Sequence, residues 1–239
     1  STQFFQQFSL CSIHATKPFD ITNSRTIGLY LHDISQEDDA DLRLFRDSNN
    51  NGRFDLEDEE LASSVNLNND DEIISYRARR GTYFAMAERY SESIGSVSYS
   101  LDLSAVYDLG ALTSNRISRT RYTVSPSDPT DVFEFSIASK QDIHLNLHNI
   151  SLNDDADISL YQDSNDNGIF DSSDEQVAGS YEFGNVDDII SYGAVEGTYF
   201  AEVAHGDYRK DNSVAYDLDL STVYNLGDLS YKSINQTDH

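Results

Sequence analysis

Apolar and polar residues alternate with a period of two through most of this chain. Ile27, Leu29 and Leu31 alternate with Gly28, Tyr30 and His32, and Ile143, Leu145 and Leu147 repeat the pattern. Leu42 and Leu44 alternate with Arg43 and Phe45, and Val97, Tyr99, Leu101 and Leu103 with Ser98, Ser100, Asp102 and Ser104. Side chains two residues apart on a strand share a face, so each run predicts a strand with one face on a core. No window of a dozen residues carries a helical period. Several short strands joined by polar loops predict an all-β fold built from antiparallel β-sandwiches. The pattern leaves jelly roll and other Greek-key orders open.

The strand pattern occurs twice. Asp38-Asp39-Ala40-Asp41 recurs 116 residues on as Asp154-Asp155-Ala156-Asp157, and Ile73-Ile74-Ser75-Tyr76 as Ile189-Ile190-Ser191-Tyr192. Gly81-Thr82-Tyr83-Phe84-Ala85 falls on Gly197-Thr198-Tyr199-Phe200-Ala201, and the offset grows to 117 where Leu101-Asp102-Leu103-Ser104 meets Leu218-Asp219-Leu220-Ser221. A period of this length is a whole domain. The expected organisation is one sandwich over 1–112, a homologous one over 113–232 and a tail over 233–239, with a short connection within 113–122.

Composition adds a strong constraint. The 42 Asp and Glu outnumber 16 Lys and Arg, for a formal net charge of −26. Such a surface repels nucleic acid and anionic membranes, and neither is expected as a partner. Self-repulsion on this scale is relieved by cations, either as diffuse counter-ions or as ligands of particular carboxylates. Cys11 is the only cysteine, which excludes an intramolecular disulfide and makes bound metal the available cross-link. No apolar run reaches the roughly 20 residues of a membrane span. Residues 1–8 lack the basic and apolar regions of a signal peptide, and the chain does not open on Met. We therefore expect a processed piece of a larger secreted or cell-surface protein.

Two matching loops carry the candidate chemistry. The first runs from Asp47 to Asp58 and the second from Asp163 to Asp174. Both place oxygen side chains at positions 1, 3, 5, 9 and 12 and glycine at position 6, the ligand schedule of a twelve-residue calcium loop. The expected ligands are Asp47, Asn49, Asn51, Asp55 and Asp58, with the backbone carbonyl of Arg53. In the second loop they are Asp163, Asn165, Asn167, Asp171 and Asp174, with the carbonyl of Ile169. Gly52 and Gly168 permit the sharp turn. Position 12 holds the shorter Asp where Glu is usual, and Glu59 and Glu175 follow as substitutes. The flanking segments read as strands, so the loops are not expected to form EF-hands, which need a helix on each side. An affinity of about 10⁻⁴–10⁻³ M, the extracellular range, is expected. Asp38, Asp39 and Asp41 with Asp154, Asp155 and Asp157, and Asp70, Asp71 and Glu72 with Asp187 and Asp188, are weaker candidates that serve equally well as turn caps.

The runs Asp39-Ala40-Asp41-Leu42-Arg43-Leu44-Phe45 and Asp155-Ala156-Asp157-Ile158-Ser159-Leu160-Tyr161 carry a resemblance. With Gly81-Thr82-Tyr83-Phe84, Gly197-Thr198-Tyr199-Phe200 and the closing runs Tyr99–Leu103 and Tyr216–Leu220, the pattern resembles the bacterial pre-peptidase C-terminal domain family. The resemblance implies two tandem jelly-roll-like sandwiches. It also implies an accessory role beside secreted proteases or in surface proteins, with calcium binding in some members. The full twelve-residue acidic loop departs from the family's commonest pattern.

No catalytic constellation is visible, and an enzyme is not expected. His144, Asn146 and His148 share one strand face, with His32 repeating His148, and we expect that face to be solvent-exposed. The favoured function is a non-catalytic, calcium-stiffened module whose partners are calcium ions and the neighbouring domains of its parent. The alternative is a module attaching a secreted enzyme to an extracellular polymer, protein fibre or polysaccharide. That role needs an exposed aromatic patch, for which Tyr30, Tyr76, Tyr90 and Tyr192 are the candidates.

Overall fold

The computed structural model describes residues 4–10, 14–36, 38–90, 96–126, 128–206 and 212–223, with the backbone alone over 4–10. Cys11, His239 and the expected tail over 233–239 lie outside the described residues. The first eight strands are β1 (Phe4–Leu10), β2 (His14–Ile21), β3 (Arg25–His32), β4 (Ala40–Arg46), β5 (Glu59–Ser64), β6 (Glu72–Ala78), β7 (Gly81–Arg89) and β8 (Val97–Ala111). The next eight are β9 (Ile117–Val124), β10 (Thr130–Ile137), β11 (Gln141–His148), β12 (Ala156–Gln162), β13 (Glu175–Ser180), β14 (Asp188–Ala194), β15 (Gly197–His205) and β16 (Val214–Val223). Among the described residues there is no helix, so none is long and apolar enough to cross a membrane.

Each set of eight strands forms a two-sheet sandwich. In the first, a β1-β8-β3-β6 sheet faces a β2-β7-β4-β5 sheet, and in the second β9-β16-β11-β14 faces β10-β15-β12-β13. This interleaving, with the chain crossing between sheets at almost every step, is the jelly-roll order, and it settles the alternative that the hydrophobic pattern left open. The alternating residues fill the cores as period two requires. Ile27, Leu29, Leu31, Leu42 and Leu44 are buried together in the first, and Ile143, Leu145, Leu147, Ile158 and Leu160 in the second.

The two sandwiches are not simply strung on a linker. Strand β8 extends well past the core run that ends at Leu103. Its residues 100–106 pair with β3, and beyond them Val106, Tyr107 and Asp108 pair in parallel with Val132, Phe133 and Glu134 of β10. Parallel neighbours normally follow a long crossover, and here the whole of β9 lies between β8 and β10. The pairing fuses one sheet of each sandwich into a single eight-stranded sheet. Within the stretch 113–122 that reads as a connection, residues from Ile117 onward already belong to β9, which pairs with β16.

Buried polar groups reinforce the junction. The Arg25 guanidinium, at the start of β3, donates to Asp131 Oδ1 on β10 at 3.1 Å and lies 4.3 Å from the centre of the Tyr107 ring. The second oxygen of Asp131 accepts the Tyr216 hydroxyl at 2.7 Å. Burial raises the Asp131 pKa, while the Tyr216 and Arg25 hydrogen bonds oppose the rise.

Candidate metal centre

The two acidic loops leave β4 and β12 and return as β5 and β13, whose pairing shifts by one residue near the loop, at Leu61 and at Val177. A bulge bends the strand that carries the extra residue, here the one that leaves the loop. An aromatic residue at position 8 then pins the loop to the sheet. Phe54 packs edge-on against Phe45 at 4.9 Å, and Phe170 against Tyr161 at the same distance. Sequence reasoning passed over these two phenylalanines, although position 8 is aromatic in both loops.

The loops coil alike. Positions 4 and 6 are left-handed in both, with φ of 57° and 70° at Asn50 and Gly52 and of 55° and 70° at Asp166 and Gly168. Asn and Asp tolerate this region and glycine enters it freely. The buried Asp47 carboxylate accepts the N–H groups of Asn51 at 3.2 Å and Gly52 at 2.7 Å, and Asp163 accepts those of Asn167 and Gly168 at 3.2 and 2.8 Å. Asn49, Asn51 and Asp55 each accept the N–H two residues on, and Asn165, Asn167 and Asp171 do the same. These are Asx turns, which coil the chain around its own side chains.

The expected ligand side chains converge. Asp55 Oδ2 lies 3.0 Å from the Asn49 amide nitrogen and 2.7 Å from that of Asn51. Asp171 Oδ2 lies 3.2 Å and 2.6 Å from the amide nitrogens of Asn165 and Asn167. Asp58 ties the two ends of the first loop by accepting from Ser48 N and Asp55 N, and Asp174 does so from Ser164 N and Asp171 N. Glu59 and Glu175, the proposed substitutes at position 12, instead open strands β5 and β13 and are exposed. Arg53 and Ile169 fill position 7, where their carbonyl alone enters the ligand schedule.

Burial and hydrogen bonding set the electrostatics of the loops. Burial pushes the Asp174 pKa up to about 7, against the pull of the Asp171 and Ser164 N–H groups. Burial also raises Asp163, while Asp55 is lowered by the Glu57 N–H and the two asparagines. Among the described residues no three His, Cys, Asp or Glu side chains gather into a metal site by themselves. Each loop instead combines carboxylates with two asparagines, whose amide nitrogens face Asp55 or Asp171 while their oxygens accept backbone N–H groups.

The loops differ in their surroundings. In the first, Arg53 and Leu56 are exposed. The second is seated on the outer face of the first sandwich. Ile169 is 1% exposed, and its Cγ2 stands 2.6 Å from where a β-carbon on Gly28 would lie. Ser172 donates its N–H and hydroxyl to the buried Asp102 at 3.2 and 2.9 Å. Phe170 closes a small cluster with Val106, Val132 and Phe200 across the junction.

Four of the weaker acidic candidates accept hydrogen bonds in turns and at strand ends. Asp38 and Asp154 accept the Ser35 and Ser151 hydroxyls, Glu72 accepts the Asn66 N–H, and Asp188 that of Glu182. The histidine face is exposed only in part, with His144 and His148 half-buried. His32 is mostly buried, stacked on Tyr30 with ring centres 4.3 Å apart and its Nε2 3.4 Å from Asp102. Burial depresses the His32 pKa, but Asp102 and the nearby carboxylates outweigh it and the net shift is upward. His148 repeats the pairing with Asp219 at 3.1 Å, and His144 bonds Ser191 at 2.9 Å. The aromatic candidates are corrected too. Tyr30 is buried with its hydroxyl on Asp71, and Tyr76 and Tyr192 pack on the two cores, leaving Tyr90 alone of the four well exposed.

No family model matches the chain, and no curated protein matches it. Solved structures with similar arrangements include the pre-peptidase C-terminal domain of a collagenase from Bacillus anthracis. It is 20% identical over 49% of this chain and 96% of that domain, with a TM-score of 0.33. Aeromonas hydrophila PliG, a periplasmic inhibitor of g-type lysozyme, is 10% identical over 49% of this chain and all of that one, at 0.32. The CBM22-1–CBM22-2 tandem of Paenibacillus barcinonensis Xyn10C is 8% identical over 86% and 82%, at 0.28. These are loose similarities, and the fold assignment rests on the strand order itself.

Proposed function

We propose that this chain is a non-catalytic, calcium-stiffened accessory module of a larger secreted or cell-surface protein. The observation that carries the reading is the exact repetition of one loop geometry. Two segments 116 residues apart share the oxygen schedule, both left-handed positions and the position-1 carboxylate gripping two backbone N–H groups. Asp47, Asn49, Asn51, Asp55 and Asp58 would hold one ion, and Asp163, Asn165, Asn167, Asp171 and Asp174 another. The ion supplies positive charge among carboxylates in a chain of net charge −26, and it cross-links a loop that has no disulfide. Binding to the folded state alone stabilises it by about 2.7 kcal/mol per site at one hundred times Kd.

The test is calorimetric titration of the metal-stripped chain with calcium, paired with thermal melting in calcium and in chelator. Two ions and a raised Tm are expected, with one ion lost in each of Asp47→Ala and Asp163→Ala. Absence of binding and of stabilisation at millimolar calcium would reduce both loops to ordinary turns.

A further inference from the structure

Against the acidic background, basic side chains are concentrated in one place. Of the 16 Lys and Arg, four (Arg25, Arg77, Arg119 and Arg121) line a concave surface where the two sandwiches meet. It comprises a cleft of about 430 Å³ and a neighbouring one of about 190 Å³, which share Ser24, Arg25, Tyr107 and Tyr122 as walls. Arg25 and Arg77 come from β3 and β6 of the first sandwich, and Arg119 and Arg121 from β9 of the second.

These cations are incompletely matched. Arg25 is paired with Asp131 at 3.1 Å and lies 3.8 Å from Asp128, yet its buried Nε has no hydrogen-bond partner. Asp108 borders the smaller cleft, with one oxygen occupied by the Gly110 N–H at 2.8 Å. Arg77 is exposed and has no ion pair among the described residues. Arg121 holds a left-handed backbone, φ 62°, fixed by its N–H donating to Asp217 Oδ1 at 2.8 Å. A non-glycine residue in that region is held there by its surroundings, and such residues gather at binding sites.

We propose that this cleft binds an acidic polysaccharide through its carboxylate or sulfate groups. Guanidinium forks match the geometry of both oxyanions, and Arg77 and Arg119 supply two at the smaller cleft while Arg121 supplies one at the larger. Asp128 and Asp131 also line the larger cleft, both beside Arg25, and the rest of its wall carries hydroxyl and amide groups, among them Asn23, Ser24 and Thr123, which suit a hydroxyl-rich chain better than apolar peptide side chains. Clefts between domains are also where ligand sites concentrate. The acidic surroundings repel anions at long range, so the contact is short-range and favours a polymer that grips at several points.

The test is affinity electrophoresis and calorimetry of the full chain in chelator with polygalacturonate, sulfated dextran, inorganic sulfate and poly-glutamate. Chelator removes calcium bridging as a source of binding. Saturable, salt-sensitive binding of one of the acidic polysaccharides is expected, weakened at least tenfold in Arg77→Gln/Arg121→Gln and unchanged in Lys140→Gln, with folding checked by circular dichroism. Three results would overturn the proposal: no binding, binding that ignores the double variant, or binding of sulfate or poly-glutamate as tight as that of the polysaccharides.

Discussion

Replacing Gly28 by alanine adds one methyl group to the outer face of β3, and the sign of its effect depends on what covers that face. On an uncovered strand the change stabilises by about 0.4–1 kcal/mol, because alanine has fewer unfolded conformations to lose. With the second acidic loop seated, the new carbon would stand 2.6 Å from Ile169 Cγ2, 2.9 Å from Ser104 Oγ and 3.0 Å from Ile169 Cγ1. Carbon atoms pack at about 3.5–4.0 Å, so Ile169 has to retreat by about 1 Å. It is β-branched and buried, with few alternative rotamers, so the loop itself moves. Overpacking of this kind costs about 1–3 kcal/mol. The expected net effect is a destabilisation of about 0.5–2 kcal/mol, read by urea denaturation followed by far-ultraviolet circular dichroism. Ile169→Ala removes two of the three close atoms and leaves Ser104 Oγ, so Gly28→Ala costs less in that background, with a coupling energy of at least about 1 kcal/mol. A Gly28→Ala variant that is more stable than wild type, or equal effects in both backgrounds, would refute the docked loop.

Arg25→Met leaves Asp131 buried without its cation and is expected to lose about 3–5 kcal/mol in the same assay. That deficit shrinks as pH falls through the raised Asp131 pKa, since a protonated carboxyl needs no ion partner. Glu134 sits at the β8–β10 pairing, where burial, with help from Asp108 and Asp163, pushes its pKa up to about 7. Its folded pKa exceeds its ordinary 4.5, so its contribution favours folding below pH 4.5 and is lost as pH rises to about 7. Glu134→Gln should therefore raise stability near neutrality by on the order of 2 kcal/mol and change little at pH 4. Tm measured against pH for both proteins checks this.

The strands and the acidic loops were legible because their signals are local. Alternation at 27–31 and 143–147 is a property of a few adjacent residues, and the glycine at position 6 announces the turn by itself. The junction was not legible, because β8 meets β10 through contacts that no local pattern encodes. A signal nonetheless existed where the repeat breaks. Gly28 stands where the second copy has His144, and Ile169 where the first has Arg53, and these two departures meet in space. How far the histidine and tyrosine faces are covered was not legible for a related reason. Alternation separates two faces of a strand, but it does not say whether the outward one is covered. Here His32 and Tyr30 stack on each other, with Asp102 and Asp71 as their polar partners.

The shared sheet also bears on how such a chain can be inherited. If either half were copied alone into another gene, the protein would carry an unpaired stretch of β8 or an open flank on β10. A bare strand edge is a template for pairing with other chains. Recombination that moved the halves separately would thus be disfavoured by aggregation, and the pair, rather than the single jelly roll, is the piece that evolution can transplant.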